Sequence, residues 1–189
     1  ALTLLIALLP PLGLISIAIF LWAGWPIFFI QKRAGLKGKP FNIVKFRTMV
    51  DARDCNGDQL PDEIRIFRLG KWLRESSLDE VPSLWNVVSG DMAFVGPRPL
   101  LVSYLELYTV EQSLRQNVLP GITGLAQVRG RNNLSWDRKF RLDVWYVKNR
   151  SWRLDFKILL ATVFVVVTSQ SINRTGCATV PAFTGRKDE

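Results

Sequence analysis

Residues Ser76 to Leu100 read SSLDEVPSLWNVVSGDMAFVGPRPL. Two adjacent carboxylates, Asp79 and Glu80, stand at a predicted helix start, and Arg98 follows between Pro97 and Pro99. Ser76, Ser77 and Asp79 are all good N-caps, and Ser77 with Glu80 has the spacing of a capping box. Pro82 narrows the choice, because a helix interior needs the N–H that proline lacks. A cap at Asp79 or one residue later leaves Pro82 in the unsatisfied first turn. Leu84, Trp85, Val87 and Val88 supply a buried face, and Gly90 suits the exit. Neighbouring helical residues point about 100° apart, so the two acids can do different jobs in one pocket but not the same job on one atom. The plain alternative is that both acids complement the helix dipole. Taken with Arg98, they are the parts of a magnesium-phosphate site.

Composition limits the chemistry. The 189 residues suffice for one domain with a real core and an appendage, and they contain no histidine. That removes the commonest general base, every Ser-His or Cys-His nucleophile and the usual zinc ligands. Cys55 and Cys177 lie far apart with no CxxC partner, so neither a disulfide framework nor a thiolate metal site is indicated. A net charge of +9 and a pI near 10.0 accompany 48% hydrophobic residues. A chain both basic and apolar points to nucleic acid, or to an anionic membrane surface with phosphorylated substrates. Where the apolar residues lie decides between these.

Residues 1–31 carry no charge, and ALTLLIALLPPLGLISIAIFLWAGWPIFFI is long enough for a membrane helix. A secretory signal fits poorly, lacking a basic leader and having too long an apolar run. As one helix the segment would extend about 45 Å, beyond a hydrocarbon core of about 30 Å, and Pro10 and Pro11 interrupt it. Two geometries remain: a kinked span, which the residue pattern favours, or a re-entrant hairpin that enters and leaves on one face. Trp22 and Trp25 are placed as interface aromatics. Lys32, Arg33, Lys37, Lys39, Lys45 and Arg47 all precede the first acid, Asp51, which orients this end toward the cytoplasm.

Further along, Phe41 to Met49 reads as a short strand with Lys45 and Arg47 on one face, although a solvated basic face explains both equally well. Asp51 to Glu63 is a polar loop that nearly spells a calcium loop, but Ala52 at the first ligand position excludes it. Ile66, Leu69 and Leu73 mark a basic amphipathic helix that includes Arg74, suited to a membrane surface or to plain packing. Leu101 to Val118 has helical periodicity. Pro120 to Trp136, PGITGLAQVRGRNNLSW, is a glycine-punctuated loop carrying Arg129 and Arg131, the guanidinium type that grips phosphate bidentately. Asp143 lies in a Trp-Tyr-rich basic stretch. Ile158 to Val167 is too short to span and reads as a buried or interfacial helix.

A carboxylate needs no base to become a nucleophile at neutral pH, and its obstacle is repulsion from the phosphate it attacks. Magnesium and arginines remove that obstacle. On a nucleotide-activated sugar, one acid of the pair would attack and the other would hold the metal.

The motifs KFRTM (Lys45 to Met49), SLDEVPSLWNVVSGDMAFVGPRPL (Ser77 to Leu100), PGITGLAQVRGRN (Pro120 to Asn132) and the Asp143 region resemble the monotopic phosphoglycosyl transferases, the bacterial sugar transferase family with its small PglC-like members. The resemblance runs over nearly the whole chain. It implies ping-pong transfer of a phospho-sugar from a UDP-sugar to a polyprenyl phosphate, with release of UMP, as the first membrane step of a surface glycan. It implies Asp79 as the nucleophile that becomes covalently loaded and Glu80 as the magnesium ligand, with both acids at the metal. Arg98 and Arg131 are the implied phosphate contacts, and Lys45, Arg74 and Asp143 position or support the substrate site. It also implies a re-entrant helix, here with Leu9-Pro10-Pro11 where the family has Ser-Pro.

The expected architecture is α+β and mostly helical, with a membrane re-entrant N-terminal hairpin, amphipathic interfacial helices and a small β element. Residues 1–31 would embed in the bacterial inner membrane, 32–175 form a catalytic domain on its cytoplasmic face, and 176–189 form a C-terminal tail. Partners would be the UDP-sugar, polyprenyl phosphate and membrane lipids, with a homo-oligomer left open. The chain has no initiator methionine and no basic residues before its apolar run, which points to a trimmed chain or the catalytic part of a larger protein. Two other classes were weighed. In a basic membrane-binding module the acids would only cap a helix. A nucleic-acid binder would use the aromatics and basics of Arg138 to Arg153, but the uncharged N-terminus argues against it.

Overall fold

A computed structural model describes residues 2–130, 133–168 and 182–185. The apolar N-terminus forms α1 (Leu2–Ala23), a single helix with Pro10 and Pro11 inside it. Its side chains are mostly exposed, and it is long and apolar enough to cross a membrane. One residue is an exception: Ile19 is fully buried, packed with Phe46 and Leu73 in a small core that Leu12 and Ile15 border. Burying such an aliphatic contributes about 1.5–3 kcal/mol, enough to seat the end of α1 on the domain. Arg47 then closes the helix end, its guanidinium donating to the carbonyls of Ala23, Gly24 and Trp25. Those carbonyls otherwise have no partner at a helix C-terminus.

After α1 comes an antiparallel hairpin of β1 (Phe28–Ala34) and β2 (Pro40–Phe46), in register Arg33 to Phe41 and Ile30 to Val44. The strand expected over Phe41 to Met49 thus starts one residue earlier and ends at Phe46. A short helix α2 (Asp62–Arg65) leads to α3 (Arg68–Glu75), the expected basic helix. Gly70 of α3 lies against β2's exit so closely that a Cβ there would sit 2.2 Å from the Thr48 carbonyl oxygen.

The acid-bearing stretch differs in detail from its expected form. Leu78–Ser83 is a 3-10 turn, with Ser77 in the left-handed region (φ 58°), and the α-helix proper, α4, covers only Leu84–Val88. The capping box does not form: the Glu80 N–H bonds the Ser77 backbone carbonyl at 3.3 Å, and the Glu80 carboxylate is engaged elsewhere. Pro82 explains the 3-10 geometry, since it cannot donate to the bond that would continue an α-helix.

Strand β3 (Ala93–Val95) pairs in parallel with β4 (Gly121–Thr123). Gly96 and Gly121 make the pairing possible, because a Cβ on Gly121 would lie 2.1 Å from the Gly96 nitrogen. Between the strands, the expected helix over Leu101 to Val118 is broken into a 3-10 turn at Val102–Leu107, α5 (Val110–Ser113) and a second 3-10 turn at Leu114–Asn117. Thr109 restarts the helix with a complete capping box to Gln112, which is why the periodicity continues while the backbone does not.

The expected loop after Pro120 contains β4 and α6 (Leu125–Val128). Helices α7 (Trp136–Asn149) and α8 (Trp152–Val167) complete the fold, capped by Ser135 and Ser151. Val95, Leu125, Tyr146 and Ile158 form the larger core, whereas Trp152, Phe156, Leu160, Phe164 and Val167 of α8 face outward. Phe183, from the segment expected to be a tail, is buried among Tyr104, Tyr108, Trp136 and Phe140. The whole is α+β.

Candidate active site

Side chains of the acid-bearing segment dock it onto β2. Asn86, almost fully buried, accepts from the Val44 N–H (3.2 Å) and donates to the Asn42 carbonyl (2.8 Å), and the Ser83 hydroxyl donates to the Val44 carbonyl at 2.8 Å. These bonds replace the neighbour that the edge of β2 lacks. They also set Glu80 directly beside Lys45.

Glu80 is saturated with charge. One carboxylate oxygen accepts from Lys45 Nζ and from an Arg98 nitrogen, each at 2.6 Å, and the other oxygen accepts from Arg98 at 3.3 Å. Burial alone would raise the Glu80 pKa, but the Arg98 and Lys45 charges outweigh it and hold the carboxyl well below the usual range. Burial depresses the Lys45 pKa in turn, opposed by Glu80.

Asp79 is in the opposite state. Burial, and then the neighbouring Glu80 charge, push its pKa up to about 6, against the pull of Lys45, Arg98 and Arg74. Within the described residues Asp79 has no hydrogen bond and no ion pair. Two sequence neighbours are thus split, one locked by cations and one held ready without a partner, and such a split separates the roles of paired carboxylates.

Beside Glu80 lies a shallow cleft lined by Arg33, Ile43 and Lys45 from the hairpin, Glu80 and Ser83, Met92, Arg98 and Pro99, and Gly121 and Ile122 of β4, with Asp79 next to it but not in its lining. Arg98 is 47% exposed at its side chain, so its guanidinium can meet a ligand while holding Glu80. Its backbone is fixed from behind. Arg115, almost fully buried, donates to the Arg98 carbonyl at 2.6 Å and to Asp143 at 2.8 and 3.1 Å, with Tyr108 at 3.3 Å and the Phe140 ring alongside.

The structure therefore brings together Asp79, Glu80, Lys45 and Arg98, with Arg74 close enough to act on Asp79 while donating to Thr48 Oγ1 at 2.8 Å. Asp143 stands behind the site, on Arg115. Arg131 and Cys177 lie outside the described residues. Sequence reasoning missed Arg33, counted only as one of the basic residues following the apolar run, and Arg115, which no motif marked. The alternation of β1 separates Arg33 from the exposed Lys32 and was the available signal for the first.

Magnesium takes one or two carboxylates and completes its shell with substrate phosphates and water. Among the described residues there is no cluster of three or more acidic, histidine or cysteine side chains that could cage a metal alone. Of the pair, Glu80 already accepts from Lys45 and Arg98 on both oxygens, which leaves Asp79 as the carboxylate with open sites among the described residues.

A cationic cleft and an acid pair in two charge states suit an enzyme that handles phosphoryl groups, and α1 is long and apolar enough to cross a membrane. The sequence profile of the bacterial sugar transferases matches residues 1–169. The chain is 54% identical over 165 residues to the uncharacterised sugar transferase EpsL of Bacillus subtilis, covering 87% of this chain and 82% of that one. It is 39% identical over 183 residues to the UDP-glucose:undecaprenyl-phosphate glucose-1-phosphate transferase of Caulobacter vibrioides, covering 90% and 68%. With the galactosyl transferase CpsE of Streptococcus agalactiae it shares 41% identity over 158 residues, which is 76% of this chain and 35% of that one. The chain belongs to the bacterial sugar transferase family, and it is an enzyme of the phosphoglycosyl transferase kind.

Proposed function

We propose that the chain transfers a phospho-sugar from a UDP-sugar to a polyprenyl phosphate in two displacements. Asp79 attacks the sugar-bearing phosphorus, the bond to the bridging oxygen breaks, UMP leaves, and an aspartyl phospho-sugar remains. A polyprenyl phosphate oxygen then attacks the same phosphorus, freeing the Asp79 carboxylate and giving polyprenyl-diphosphate-sugar. The observation that carries this reading is the split of the adjacent acids: Asp79 unpartnered, Glu80 held by Lys45 and Arg98 at the cleft. The overall transfer, apart from its two-step course, is supported by relatives such as the Caulobacter transferase and the undecaprenyl-phosphate galactose phosphotransferase of Salmonella typhimurium.

Within this reading Arg98 meets the phosphate oxygens, Lys45 and Arg98 keep Glu80 ionised, and Arg74 steadies the Asp79 charge. Magnesium, held by Asp79 and Glu80 together with the diphosphate, would supply charge neutralisation. Arg131 is assigned as a further phosphate contact and Asp143 as support for Arg98 through Arg115.

The bacterial inner membrane would seat the enzyme through α1, with the outward apolar face of α8 at the interface and the catalytic domain in the cytoplasm. The re-entrant course of the N-terminus belongs to the same proposal, with the turn at Pro10-Pro11, where the carbonyls of Ile6 and Ala7 lose their helical donors. Tagging the N-terminus tests it: labelling from the face opposite the domain would replace the hairpin by a span.

A panel of UDP-sugars scored for UMP release in nanodiscs, with magnesium and polyprenyl phosphate, tests the reaction. Release with at least one sugar, lost on adding a chelator, is the expected result. No release with any would remove the assignment.

A further inference from the structure

Arg33 is a half-buried cation with no ion pair among the described residues. Its guanidinium donates to the Gln31 side-chain oxygen at 2.5 Å and to the Pro99 carbonyl at 3.5 Å, both neutral acceptors. Burial, and then the nearby Arg98 charge, lower its pKa, which shows that it faces a like charge across the cleft. The lining holds three cations, Arg33, Lys45 and Arg98, and one acid, Glu80, whose two oxygens are already taken by the other two cations. The more deeply buried Arg115 has Asp143 to balance it, and Arg47 spends its donors on the carbonyls that end α1. Arg33 stands apart from both because it is half-buried and lines the cleft beside Arg98 and Lys45.

Backbone contacts hold Arg33 in place next to the Arg98 segment: the Ala34 N–H bonds the Leu100 carbonyl at 2.9 Å, and Arg33 bridges to Leu101. Backbone bonds therefore hold the Arg33 strand against the segment that follows Arg98.

We propose that Arg33 is a substrate-binding residue that takes one phosphoryl group of a diphosphate while Arg98 takes the other. This rests on the transferase reading for the identity of the diphosphate, though the anion site itself follows from the cleft. It makes the cleft selective for diphosphates over monophosphates, since only the former can span both guanidiniums.

The test titrates inorganic pyrophosphate and inorganic phosphate into the detergent-solubilised full chain by calorimetry, with Arg33→Met, Arg33→Lys and the surface control Arg153→Met. Arg33→Met is expected to weaken pyrophosphate roughly 10- to 100-fold and phosphate by under about threefold. Arg33→Lys should recover part of the loss, and the KM for the UDP-sugar should rise more than kcat falls. A folded Arg33→Met protein with unchanged pyrophosphate affinity overturns the proposal.

A second measurement needs no variant. Phenylglyoxal modification of Arg33 in the wild-type chain, read by mass spectrometry, should be slowed by pyrophosphate and much less by phosphate, and equal modification with and without pyrophosphate also overturns the proposal. Protection of Arg33 in a chain that releases no UMP would keep the diphosphate site and remove the transferase reading. Turnover that ignores Arg33→Met would do the reverse.

Discussion

Two clusters in this molecule use the same ingredients, carboxylates and guanidiniums, to opposite ends. Behind the site, Arg115 and Asp143 are matched one to one and sealed, and the arginine's donors also satisfy the Arg98 carbonyl and Tyr108. At the cleft, Glu80 is shared by two cations and Arg33 has only neutral acceptors among the described residues, and next to it the Asp79 carboxylate has neither hydrogen bond nor ion pair among those residues. The first arrangement is complete in itself, and the second is complete only with a bound anion. A balanced buried pair is a structural element whose removal unfolds, whereas an unbalanced, half-open one is poised for a ligand.

That contrast breaks most sharply at Asp79. Asp79→Asn keeps the shape and removes the nucleophile, so UMP release and trapping of a labelled phospho-sugar should fall about ten-thousand-fold with an unchanged circular dichroism spectrum. Retained turnover would end the assignment.

On the sealed side the effect is on stability. Asp143→Ala strands the Arg115 charge and should cost about 3–5 kcal/mol in denaturant unfolding, while an Arg115→Met, Asp143→Leu double variant regains most of it. If the single and double variants are equally unstable, the pair is not a self-contained unit.

Glu80→Gln separates ligand from nucleophile. It should move the midpoint of a magnesium titration of UMP release by roughly tenfold, and an unmoved midpoint would leave Glu80 with only its cation contacts.

The smallest expected effect concerns pH. Because folding raises the Asp79 pKa to about 6, the folded state holds that proton more tightly, so the associated stability is present below the unfolded carboxylate pKa of about 3.9 and is lost as pH rises through 6. In chelator, Asp79→Asn should therefore gain about 1–2 kcal/mol over wild type at pH 7.5 and nothing at pH 4. An equal difference at both pH values would mean that Asp79 is not desolvated. UMP release by wild type should rise with pH through the same value, since attack needs the ionised form.

Much of this was visible before any coordinates. The apolar helix over Leu2–Ala23 and the basic helix carrying Arg74 stand where local pattern placed them, because apolar runs and helix periodicity are properties of neighbours, while residues 28–31 of the uncharged run belong to β1. The acid segment was misjudged in its backbone form: the capping-box spacing was present, but Lys45 and Arg98 claimed Glu80 and Pro82 imposed a tighter turn. Leu101 to Val118 kept its periodicity through two 3-10 turns and a restart at Thr109. At Glu80 contacts from outside the segment overrode the local cap, whereas at Thr109 a capping box inside the segment restarted the helix.

What the order of residues limited by itself was the range of chemistry open to the chain: without histidine, carboxylates, lysines and arginines remain, beside an apolar end. Which acid carries charge, which arginine faces the cleft and which merely braces it depended on distance in space: Lys45 reaches Glu80 across 35 residues, Arg98 across 18, and Arg115 reaches Asp143 across 28. Charge states respond to burial and to neighbours within a few ångströms, and folding brings those neighbours together from parts of the chain that share no local pattern.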